Sequence, residues 1–523
     1  MIKSGLIYSF GMGFWGANGH DGIWHLALIN SLARGSFQMP VFSGLDIKNY
    51  HLGFDLIVAF LHNFTKIPTV NLYFQILPPI FALLIGLTCY IFTHELTRSY
   101  RASFWATFFV YFGGEASWIF GHGESTFWSQ QSISTLINPP FALSLIFIFA
   151  GLYFLLKKKP FLAILFFGIL LETKAYAGVL ILGSLFLASI WQLLREKKKD
   201  YMVIFVGSSV LTLFLFLLLN RGSENVFIFQ PFWFLVTLFG PDRLSFPKFF
   251  SAIANYSLAK NYLKLIPAYM LAFIIFWVGN MWTRLFKEFE VIKWIRHPKN
   301  ISSMNVFITS MIIGGAAIPL LFIQKGTPWN TIQFFYYSLM FSGILAGIAL
   351  KNINNKFLIT LIILLTLPTT VFTLKNVYIP GRPPAKVSNE ELSALSFLSG
   401  QKNGVVLTYP YDKTKADAAI SNPPRPLYLY DSTAYVAAFS NHQTFLEDQV
   451  NLDITNFDWK SRRDEVFNKF LNTTDVKTAQ RFLGDNKIVY IYLLKSQGLN
   501  LSTQQLGLTK IFENNDVQIF KVL

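Results

Sequence analysis

The stretch KKKPFLAILFFGILLETKAYAGVLILGSLFLASIWQLLREKKK, residues 157–199, decides the class of fold. Two basic runs enclose apolar sequence that the polar triplet Glu172-Thr173-Lys174 divides. A helix needs about 20 apolar residues to cross a bilayer, so Ala175–Leu194 is long enough and Phe161–Leu171 is predicted to be a partial or broken span. Basic loops stay on the cytoplasmic side, which places both runs there and the triplet at the outer boundary.

The composition of the whole chain is that of a polytopic membrane protein. Of its 523 residues, 53% are hydrophobic and 14% are charged, whereas average proteins have about 25% charged residues. The formal net charge of +16 does not indicate nucleic-acid binding, because many basic residues lie in short runs between apolar segments. The single Cys89 lies in an apolar run, which excludes an intrachain disulfide.

Apolar segments recur through residues 1–375 and, with Phe161–Leu171, predict a mainly α-helical domain with about ten crossings. The other predicted spans are Val70–Thr93, Ala102–Ile119, Leu136–Leu156, Ala175–Leu194, Met202–Leu219, Leu263–Trp282, Val306–Ile323, Thr331–Leu350 and Phe357–Leu374. Val226–Gly240, with Pro231 inside, is predicted to be re-entrant. If the spans alternate, every basic loop falls on one side, which is predicted to be cytoplasmic. These loops are 98–101, 157–159, 195–199, 284–299 and 351–356.

Residues 376–523 have the polarity of a soluble domain, which begins after the linker Pro380-Gly381-Arg382-Pro383-Pro384. They predict a small extracytoplasmic α/β domain on a multi-pass protein of the inner (plasma) membrane. Its predicted helices are Glu390–Leu398, Lys460–Leu471 and Thr478–Leu483, its strands are Gly404–Tyr409 and Lys487–Leu494, and Leu508–Phe512 and Val517–Val522 form a hairpin.

A short helix is predicted from Gly19-His20-Asp21-Gly22-Ile23-Trp24-His25 to Arg34-Gly35. Asp21 suits the first turn, at the positive end of the helix dipole, and Gly35 is a suitable stop. Asp21 and His25 share one face because they are four positions apart. A carboxylate and an imidazole placed in this way hold a metal or take a proton from a hydroxyl. The alternative is an N-cap aspartate beside a surface histidine.

The predicted outer interfacial loop, residues 19–66, also contains the apolar segment Tyr50–Asn63, which is too short for a full span and suits a helix in the membrane interface. Met1–Asn18 is too short and too rich in glycine to cross. Because such a loop normally follows a first span, we expect the chain to lack an N-terminal helix. The alternative is that Leu6–Trp15 is an interfacial anchor.

Polar residues at the outer ends of the spans form the candidate site, because charged groups at membrane depth are costly and usually face a cavity. Asp21, Glu115 and Glu124 are the candidate bases. The candidate substrate-binding residues include His25, Tyr50, His51, Lys174 and Tyr176. His25, His122 and Glu124 are candidate ligands of a divalent metal, and no other cofactor is indicated. Each residue also has an ordinary explanation, as a loop carboxylate, a hydrogen-bonded histidine or a lysine paired with Glu172.

This layout resembles the C-type glycosyltransferase superfamily, polytopic enzymes that use polyprenyl-phosphate sugars and include protein mannosyltransferases and aminoarabinose transferases. The similar motifs are Asp21 in GHDGIWH, Asn138-Pro139-Pro140 at the start of a span, Lys174 in LLETKAYAG, Gly326-Thr327-Pro328-Trp329-Asn330, and, in the tail, Arg462-Arg463, KIVYIYLL and KIFENNDVQIFKVL. One departure is that the Asp-Glu pair of the family is here Asp21-Gly22, so a second acid must come from elsewhere.

The resemblance implies inverting transfer of a hexosyl or pentosyl group at the outer face, from a polyprenyl-phosphate donor to a lipid or glycan acceptor of the envelope. Asp21 would act as the general base on the acceptor hydroxyl. Lys174 is the first candidate to stabilise the departing phosphate, Arg243 and Arg382 are weaker ones, and a metal held by His and Glu is an alternative. The lipid tail would lie in a groove between spans, in contact with membrane lipids.

Two other classes of function remain open. A non-enzymatic transporter or scaffold for envelope lipid or polysaccharide would more often carry charges in mid-span and paired half-repeats, and neither is clear in this sequence. Phosphoethanolamine transfer would need a Thr or Ser nucleophile beside a metal cluster in the tail. The tail has Asp431-Ser432-Thr433 but only His442 as a histidine, so the sequence favours sugar transfer.

Overall fold

The computed structural model describes residues 2–121, 123–130, 132–219 and 227–523. Within them, eight helices are long and apolar enough to cross a membrane, which confirms a mainly α-helical, polytopic protein. These candidate spans are Thr69–Thr97, Pro139–Leu156, Ala175–Glu196, Asp200–Leu219, Tyr262–Arg296, Ser303–Leu321, Pro328–Asn352 and Lys356–Tyr378.

The α-helices before the tail begin and end close to the predicted bounds in most cases. They are α1 (Asp21–Ala33), α2 (Gly53–Thr65), α3 (Thr69–Asn71), α4 (Leu77–Thr97), α5 (Tyr100–Phe112), α6 (Pro139–Leu156), α7 (Pro160–Gly168), α8 (Leu170–Thr173), α9 (Ala175–Trp191), α10 (Asp200–Leu219), α11 (Trp233–Thr237), α12 (Pro247–Leu258), α13 (Tyr262–Met281), α14 (Glu288–Arg296), α15 (Ser303–Leu321), α16 (Gln333–Ala349) and α17 (Lys356–Thr373).

Two of the predicted crossings are short helices. Helix α5 ends at Phe112, whereas the apolar sequence predicted a span to Ile119. At Gly113, the C-cap of α5, the backbone leaves the helical conformation, with a ψ of 121°. Gly114 then packs closely on a distant helix, since a Cβ there would lie 2.6 Å from Thr369 Oγ1. The second short crossing is the predicted partial span, which forms α7 and α8 on either side of Ile169. Helix α8 ends before Lys174, where the backbone is extended.

The loops rich in basic residues gather at one end of the helices, as the alternation of spans predicted. Lys157 Nζ lies 2.8 Å from Glu95 Oε2, which joins the loops after α4 and α6. Arg101 donates a hydrogen bond to Asn354, in the loop before α17. The opposite end of the helices carries residues 385–523, and we call it the tail end.

The strands form three small sheets with the orders β1-β2-β5-β7, β6-β8-β10-β9 and β3-β4. They are β1 (Ile7–Tyr8), β2 (Gly11–Phe14), β3 (Phe227–Phe229), β4 (Phe322–Gln324), β5 (Ala385–Val387), β6 (Val405–Thr408), β7 (Arg425–Pro426), β8 (Ile488–Leu494), β9 (Leu508–Glu513) and β10 (Val517–Val522). The predicted re-entrant segment Val226–Gly240 contains β3 and α11, and Val226 itself lies outside the described residues.

The predicted helices, strands and hairpin of the tail are all present. Strand β6 runs parallel to β8, and β10 pairs antiparallel with both β8 and β9. Helix α18 begins with a capping box between Ser388 and Glu391, which satisfies backbone donors at its start. The tail helices are α18 (Asn389–Ser399), α19 (Lys413–Ala418), α20 (Tyr435–Ser440), α21 (Gln449–Ile454), α22 (Trp459–Val466) and α23 (Val476–Asp485).

The start of the chain is part of a sheet with the beginning of the tail. Leu6–Trp15, considered above as an interfacial anchor, contains the hairpin β1–β2, and Met12 of β2 pairs with Val387 of β5. Helix α1 packs against α2 and against α20 of the tail, and most of its residues are buried. The predicted Asp21 helix therefore lies under protein rather than on the membrane surface.

Candidate functional site

A cavity of about 570 Å³ lies at the tail end, where α1, the membrane helices and the tail meet. Six predicted site residues line it: Asp21, His25, Tyr50, His51, Lys174 and Tyr176. They come from three separate segments of the sequence. The cavity also has polar walls from Asn49, Asn138, Gln324, Asn330, Gln333 and Asn451, and apolar walls from Leu171, Val179, Phe216, Phe227, Phe334 and Ile454.

Asp21 is the first residue of α1, and its side chain is 46% exposed because it faces the cavity. Its Oδ1 lies 2.9 Å from His20 Nδ1. Burial raises the pKa of Asp21, but the hydrogen bond and charge of His20, together with the charges of His25 and Lys174, lower it overall below the ordinary 3.8. Asp21 is therefore an ionised carboxylate at neutral pH, held in one orientation by its neighbour.

His20 connects Asp21 to the tail. Its Nε2 lies 3.3 Å from Oδ1 of Asp448, a fully buried residue that caps α21 by accepting a hydrogen bond from Asn451 N at 3.0 Å. Burial lowers the pKa of His20, but the charges and hydrogen bonds of Asp448 and Asp21 raise it well above 6.5. As an imidazolium, His20 donates from both ring nitrogens, so the tail takes part in holding Asp21.

A second histidine–aspartate pair lies next to the cavity. His25 Nδ1 is 2.8 Å from Oδ1 of Asp55, which lies on α2 and is fully buried. Burial raises the pKa of Asp55, and the charge of His25 and its hydrogen bond oppose that shift. Since Nδ1 is engaged by Asp55, Nε2 is the ring nitrogen left for a ligand in the cavity. The ring of His25 also stacks on Tyr73, with centroids 5.8 Å apart, which fixes its plane.

Lys174 lies at the break between α8 and α9, and only 4% of the residue is exposed. Its Nζ is 3.4 Å from Asn138 Oδ1 and 5.3 Å from the centroid of the Tyr176 ring. Asn138 is the N-cap of α6, so both α6 and α9 begin at the cavity. The positive ends of two helix dipoles and a buried ammonium therefore converge there, an arrangement that suits a phosphate.

Amide side chains form another wall, beside the start of α16. Gln324 Oε1 accepts hydrogen bonds from Tyr176 Oη at 3.2 Å and from Asn330 Nδ2 at 2.9 Å. Asn330 in turn accepts a hydrogen bond from Gln333. This network lies in the predicted Gly326–Asn330 motif region and holds polar groups that hydroxyls of a substrate can contact.

The cavity is bounded on one side by residues that belong to the lipid-facing surface. Val179 of α9 is 45% exposed, and Phe227 of β3 is 37% exposed. Phe216 lies on α10, in which only Tyr201, Ile204, Ser208 and Thr212 are buried, as expected of a helix in contact with lipid. The apolar chain of a lipid ligand can therefore extend from the cavity into the membrane.

Three predicted site residues lie outside the cavity lining. Glu115 is fully buried and accepts a hydrogen bond from Ser117. Glu124 Oε2 accepts one from Ser134 Oγ at 2.6 Å. Arg243 Nη1 donates to the carbonyl oxygen of Ser125 at 2.7 Å, and the guanidinium carbon lies 4.0 Å from the Trp128 ring centroid. These contacts place the three side chains in a separate region next to α13 and α17.

The predicted metal ligands are distributed differently. His25 lines the cavity, Glu124 does not, and His122 lies outside the described residues. Across residues 2–121, 123–130, 132–219 and 227–523, no group of three or more His, Cys, Asp or Glu side chains is arranged to hold a metal ion. Arg382, which like Arg243 was a weaker candidate to stabilise the phosphate, is exposed in the linker.

Sequence reasoning missed the contributions of the tail to this site. Asp448 holds His20, and Asn451 and Ile454 line the cavity directly. All three lie in or next to α21, a short helix with no strong hydrophobic period. The one local signal was the aspartate of the LEDQ sequence before a short helix, which is typical of an N-cap and points to no partner.

Comparisons with known proteins identify structures that share the fold of this chain. No family model matches the chain. No curated protein sequence matches it. Among solved structures, the archaeal oligosaccharyltransferase AglB from Archaeoglobus fulgidus, in complex with an inhibitory peptide and a dolichol-phosphate, aligns with a TM-score of 0.50 and 11% identity over 94% of this chain and 67% of its own.

A second structure of the Archaeoglobus fulgidus oligosaccharyltransferase, tethered with an acceptor peptide containing the NVT sequon via a disulfide bond, aligns with a TM-score of 0.49 at 11% identity over the same shares of the two chains. The AglB alignment covers nearly the whole chain, including the tail. The chain therefore shares the fold of AglB, which is the C-type fold that the resemblance implied.

Proposed function

We propose that this protein transfers a sugar from a polyprenyl-phosphate donor to a lipid or glycan acceptor of the envelope, in the cavity that contains Asp21. The observation that carries the proposal is that three features lie in one cavity. They are the ionised Asp21, the buried Lys174 near the starts of two helices, and an apolar wall that continues to the membrane-facing surface. They correspond to the three demands of the reaction, which are a base, a partner for phosphate and room for a lipid chain.

In the proposed reaction, Asp21 takes the proton of the acceptor hydroxyl as the hydroxyl oxygen attacks the anomeric carbon. The bond between that carbon and the phosphate oxygen breaks on the opposite face, so the configuration inverts and polyprenyl phosphate leaves. A positioned general base contributes roughly a hundred- to ten-thousandfold to the rate. Asp21 is suited to this step because its side chain faces the cavity and is held ionised by His20.

Lys174 is proposed to bind the phosphate and to stabilise the charge that develops as it leaves. A cation and backbone N–H groups that are already in place act on developing charge without reorganisation. Because α9 begins directly after Lys174, the phosphate would also lie at the N-terminus of that helix, whereas α6 begins with Pro139 and Pro140, which have no N–H to donate. The complex of AglB with a dolichol-phosphate, a lipid of the same chemical class, supports this type of donor.

The lipid chain is proposed to run past Val179 and Phe216 along the surface between α9 and α10. Those side chains line the cavity and also belong to the outer surface of the helix bundle. A reactive phosphate at the end of a membrane-embedded lipid then reaches the site without leaving the membrane, and the acceptor comes from the tail side.

The proposed orientation places the tail end outside the cell's inner (plasma) membrane. It is supported by the basic loops, which gather at the opposite end of the helices. In this arrangement residues 1–375 form the catalytic membrane domain, and residues 376–523 form an extracytoplasmic domain that closes the cavity through α21.

The test is turnover of the full chain in nanodiscs, supplied with a mixture of polyprenyl-phosphate sugars and followed by release of polyprenyl phosphate. Asp21→Asn should lower the rate by a hundred- to ten-thousandfold, on the order expected for loss of a general base. The matched control is Asp46→Asn, which changes an exposed aspartate of the same loop. Both proteins should show the thermal unfolding of the wild type.

Equal release from Asp21→Asn and wild type would contradict the assignment of the base. Donor binding without release by the wild type would favour a transporter or scaffold for envelope lipids. The configuration of the product, determined by nuclear magnetic resonance, tests inversion separately.

A further inference from the structure

We propose that a second cavity, in the tail, binds a neutral saccharide unit of the acceptor. We call it the tail cleft, and its defining residues are Tyr409, Tyr411, Asp412, Tyr428, Asp431 and Gln497. Its role as an acceptor subsite rests on the proposed function, whereas saccharide binding itself can be measured without any turnover.

The position of the tail cleft is one where ligands commonly bind. Strands β6 and β8 are parallel neighbours. The cleft is lined by Thr408, the last residue of β6, and by Ser496, two positions after the end of β8. Crevices outside the carboxyl ends of parallel strands are frequent ligand sites in open sheets, because the strands end there and the loops diverge.

The side chains of the cleft suit a sugar. Tyr409, Tyr411 and Tyr428 are half-buried, so each offers part of a flat apolar ring together with a polar hydroxyl. A pyranose has the complementary form, with apolar C–H faces and a rim of hydroxyls. Asp431 and Gln497 add acceptors and donors for that rim.

One polar group of the cleft is buried without a partner in the described part of the chain. Thr433 is 6% exposed, and its Oγ1 has no hydrogen bond within the described residues. A buried hydroxyl left in this state destabilises the fold, because its hydrogen bonds to water are lost and not replaced. A hydroxyl of a bound ligand would satisfy it, as expected of a site shaped to receive one.

The charge of the cleft favours a neutral ligand over an anionic one. Asp412 and Asp431 line it, and Lys415 alone is basic among the described residues of its wall. Lys415 Nζ lies 3.8 Å from Asp412 Oδ2, so its charge is already matched. A phosphate or a nucleotide would therefore meet net repulsion here, unlike in the cavity beside Lys174.

The tail cleft and the Asp21 cavity are separated by one short helix. Asp448 lines the cleft and caps α21, while Asn451 of the same helix lines the cavity. Three residues of α-helix advance by about 4.5 Å. A glycan with one unit in the cleft could thus present the hydroxyl of a neighbouring unit to Asp21. Of the two acceptor classes, the geometry points to the glycan.

The experiment measures saturation-transfer difference signals from the methyl glycosides of glucose, galactose, mannose and N-acetylglucosamine, each added to the full chain in nanodiscs. We expect saturation of at least one glycoside by the wild type. Tyr411→Ala and Asp431→Asn should each weaken that binding about tenfold, as expected for loss of a ring face or a charged hydrogen bond. Tyr411→Phe, which keeps the ring, should retain most of it and shows that the site still folds.

Two controls separate the cleft from other sites. Asp485→Asn changes an exposed aspartate of the tail and should leave binding unchanged. Inorganic phosphate should not displace the glycoside.

The proposal is overturned if none of these glycosides is saturated, if saturation persists in both Tyr411→Ala and Asp431→Asn, or if phosphate competes. Release of polyprenyl phosphate is measured on the same preparations. Glycoside binding without release of polyprenyl phosphate would support the saccharide site and contradict the proposed transferase function. Release of polyprenyl phosphate without glycoside binding would support the transferase function and contradict the saccharide site.

Discussion

His20 Nε2 lies 3.3 Å from Asp448 Oδ1, although the two residues are 428 positions apart in the chain. The other ring nitrogen of His20 lies 2.9 Å from Asp21 Oδ1. The contact therefore connects a buried carboxylate of the tail with a carboxylate that faces the cavity. Through it, the tail holds the imidazole that contacts the proposed base and lowers its pKa.

Replacing His20 with glutamine is expected to move the acid limb of the pH–rate profile to higher pH. The hydrogen bond and charge of His20 lower the pKa of Asp21 against the effect of burial, so their loss raises that pKa. A protonated Asp21 cannot accept a proton, and activity then falls at a higher pH than in the wild type. The measurement is kcat/KM for polyprenyl-phosphate release across the acid range.

The matched control for this profile is His62→Gln, a change at a histidine near the end of α2 whose Nδ1 contacts the carbonyl oxygen of Ile67. Its acid limb should coincide with that of the wild type. An unchanged limb in His20→Gln would show that Asp21 does not set the profile.

The same histidine is expected to stabilise the fold in a pH-dependent way. Its pKa is raised well above 6.5 in the folded protein, so its contribution is fully present below 6.5 and is lost as the pH rises through the folded value. The difference in unfolding temperature between wild type and His20→Gln should be largest at mildly acidic pH and should shrink at alkaline pH. Tryptophan fluorescence during heating measures it, and a difference that grows with pH contradicts the pairing.

Lys174→Met is expected to weaken use of the donor. A charged hydrogen bond to phosphate is worth about 1.5–3 kcal/mol, so kcat/KM for the polyprenyl-phosphate sugar should fall by about ten- to a hundredfold. Lys174→Arg should restore part of this loss, because the charge remains while the shape differs. Lys66→Met, at an exposed lysine after α2, is the control and should behave as the wild type. A normal KM and kcat in Lys174→Met would show that Lys174 does not bind the phosphate.

Gly11→Ala is expected to loosen the sheet that joins the start of the chain to the tail. Gly11 has a φ of +109°, and a Cβ there would lie 2.0 Å from the carbonyl oxygen of Val387. The backbone must shift, so β2 can no longer pair closely with β5, and cleavage by added protease near residues 380–384 should become faster.

The control is Gly44→Ala, which also has a positive φ, of +87°, but meets nothing within 4 Å. It isolates the cost of the backbone conformation, about 1–2 kcal/mol, from the cost of the clash. Equal protease sensitivity of the two variants would show that the β2–β5 contact does not hold the tail.

Two outcomes that the sequence did not predict have one physical origin. The span predicted to continue to Ile119 ends at Phe112, and the two glycines that follow it pack against Arg284 and Thr369, far away in the sequence. The segment Leu6–Trp15 became a hairpin because a strand partner, β5, lies far along the chain. Apolar length is a local property, whereas both outcomes depend on which segment is packed alongside.

The candidate site shows the same difference between what is local in the sequence and what depends on packing. Asp21, His25 and Lys174 were predicted from residue type and from their place at the ends of apolar segments, and they share one cavity. Glu115 met the same criteria and lies elsewhere, bonded to Ser117. No local feature separates these cases, because the difference is the direction of each side chain after the helices have packed.

The amino-acid sequence by itself determined the order and the approximate bounds of most apolar helices, the end at which the basic loops gather and the polar tail, because hydrophobic length and charge act locally along the chain. Only the tertiary structure decided which polar residues meet in the cavity and that Asp448 holds His20 beside Asp21. Those contacts join residues that are far apart in sequence, and packing of the tail onto the first loop is what brings them together.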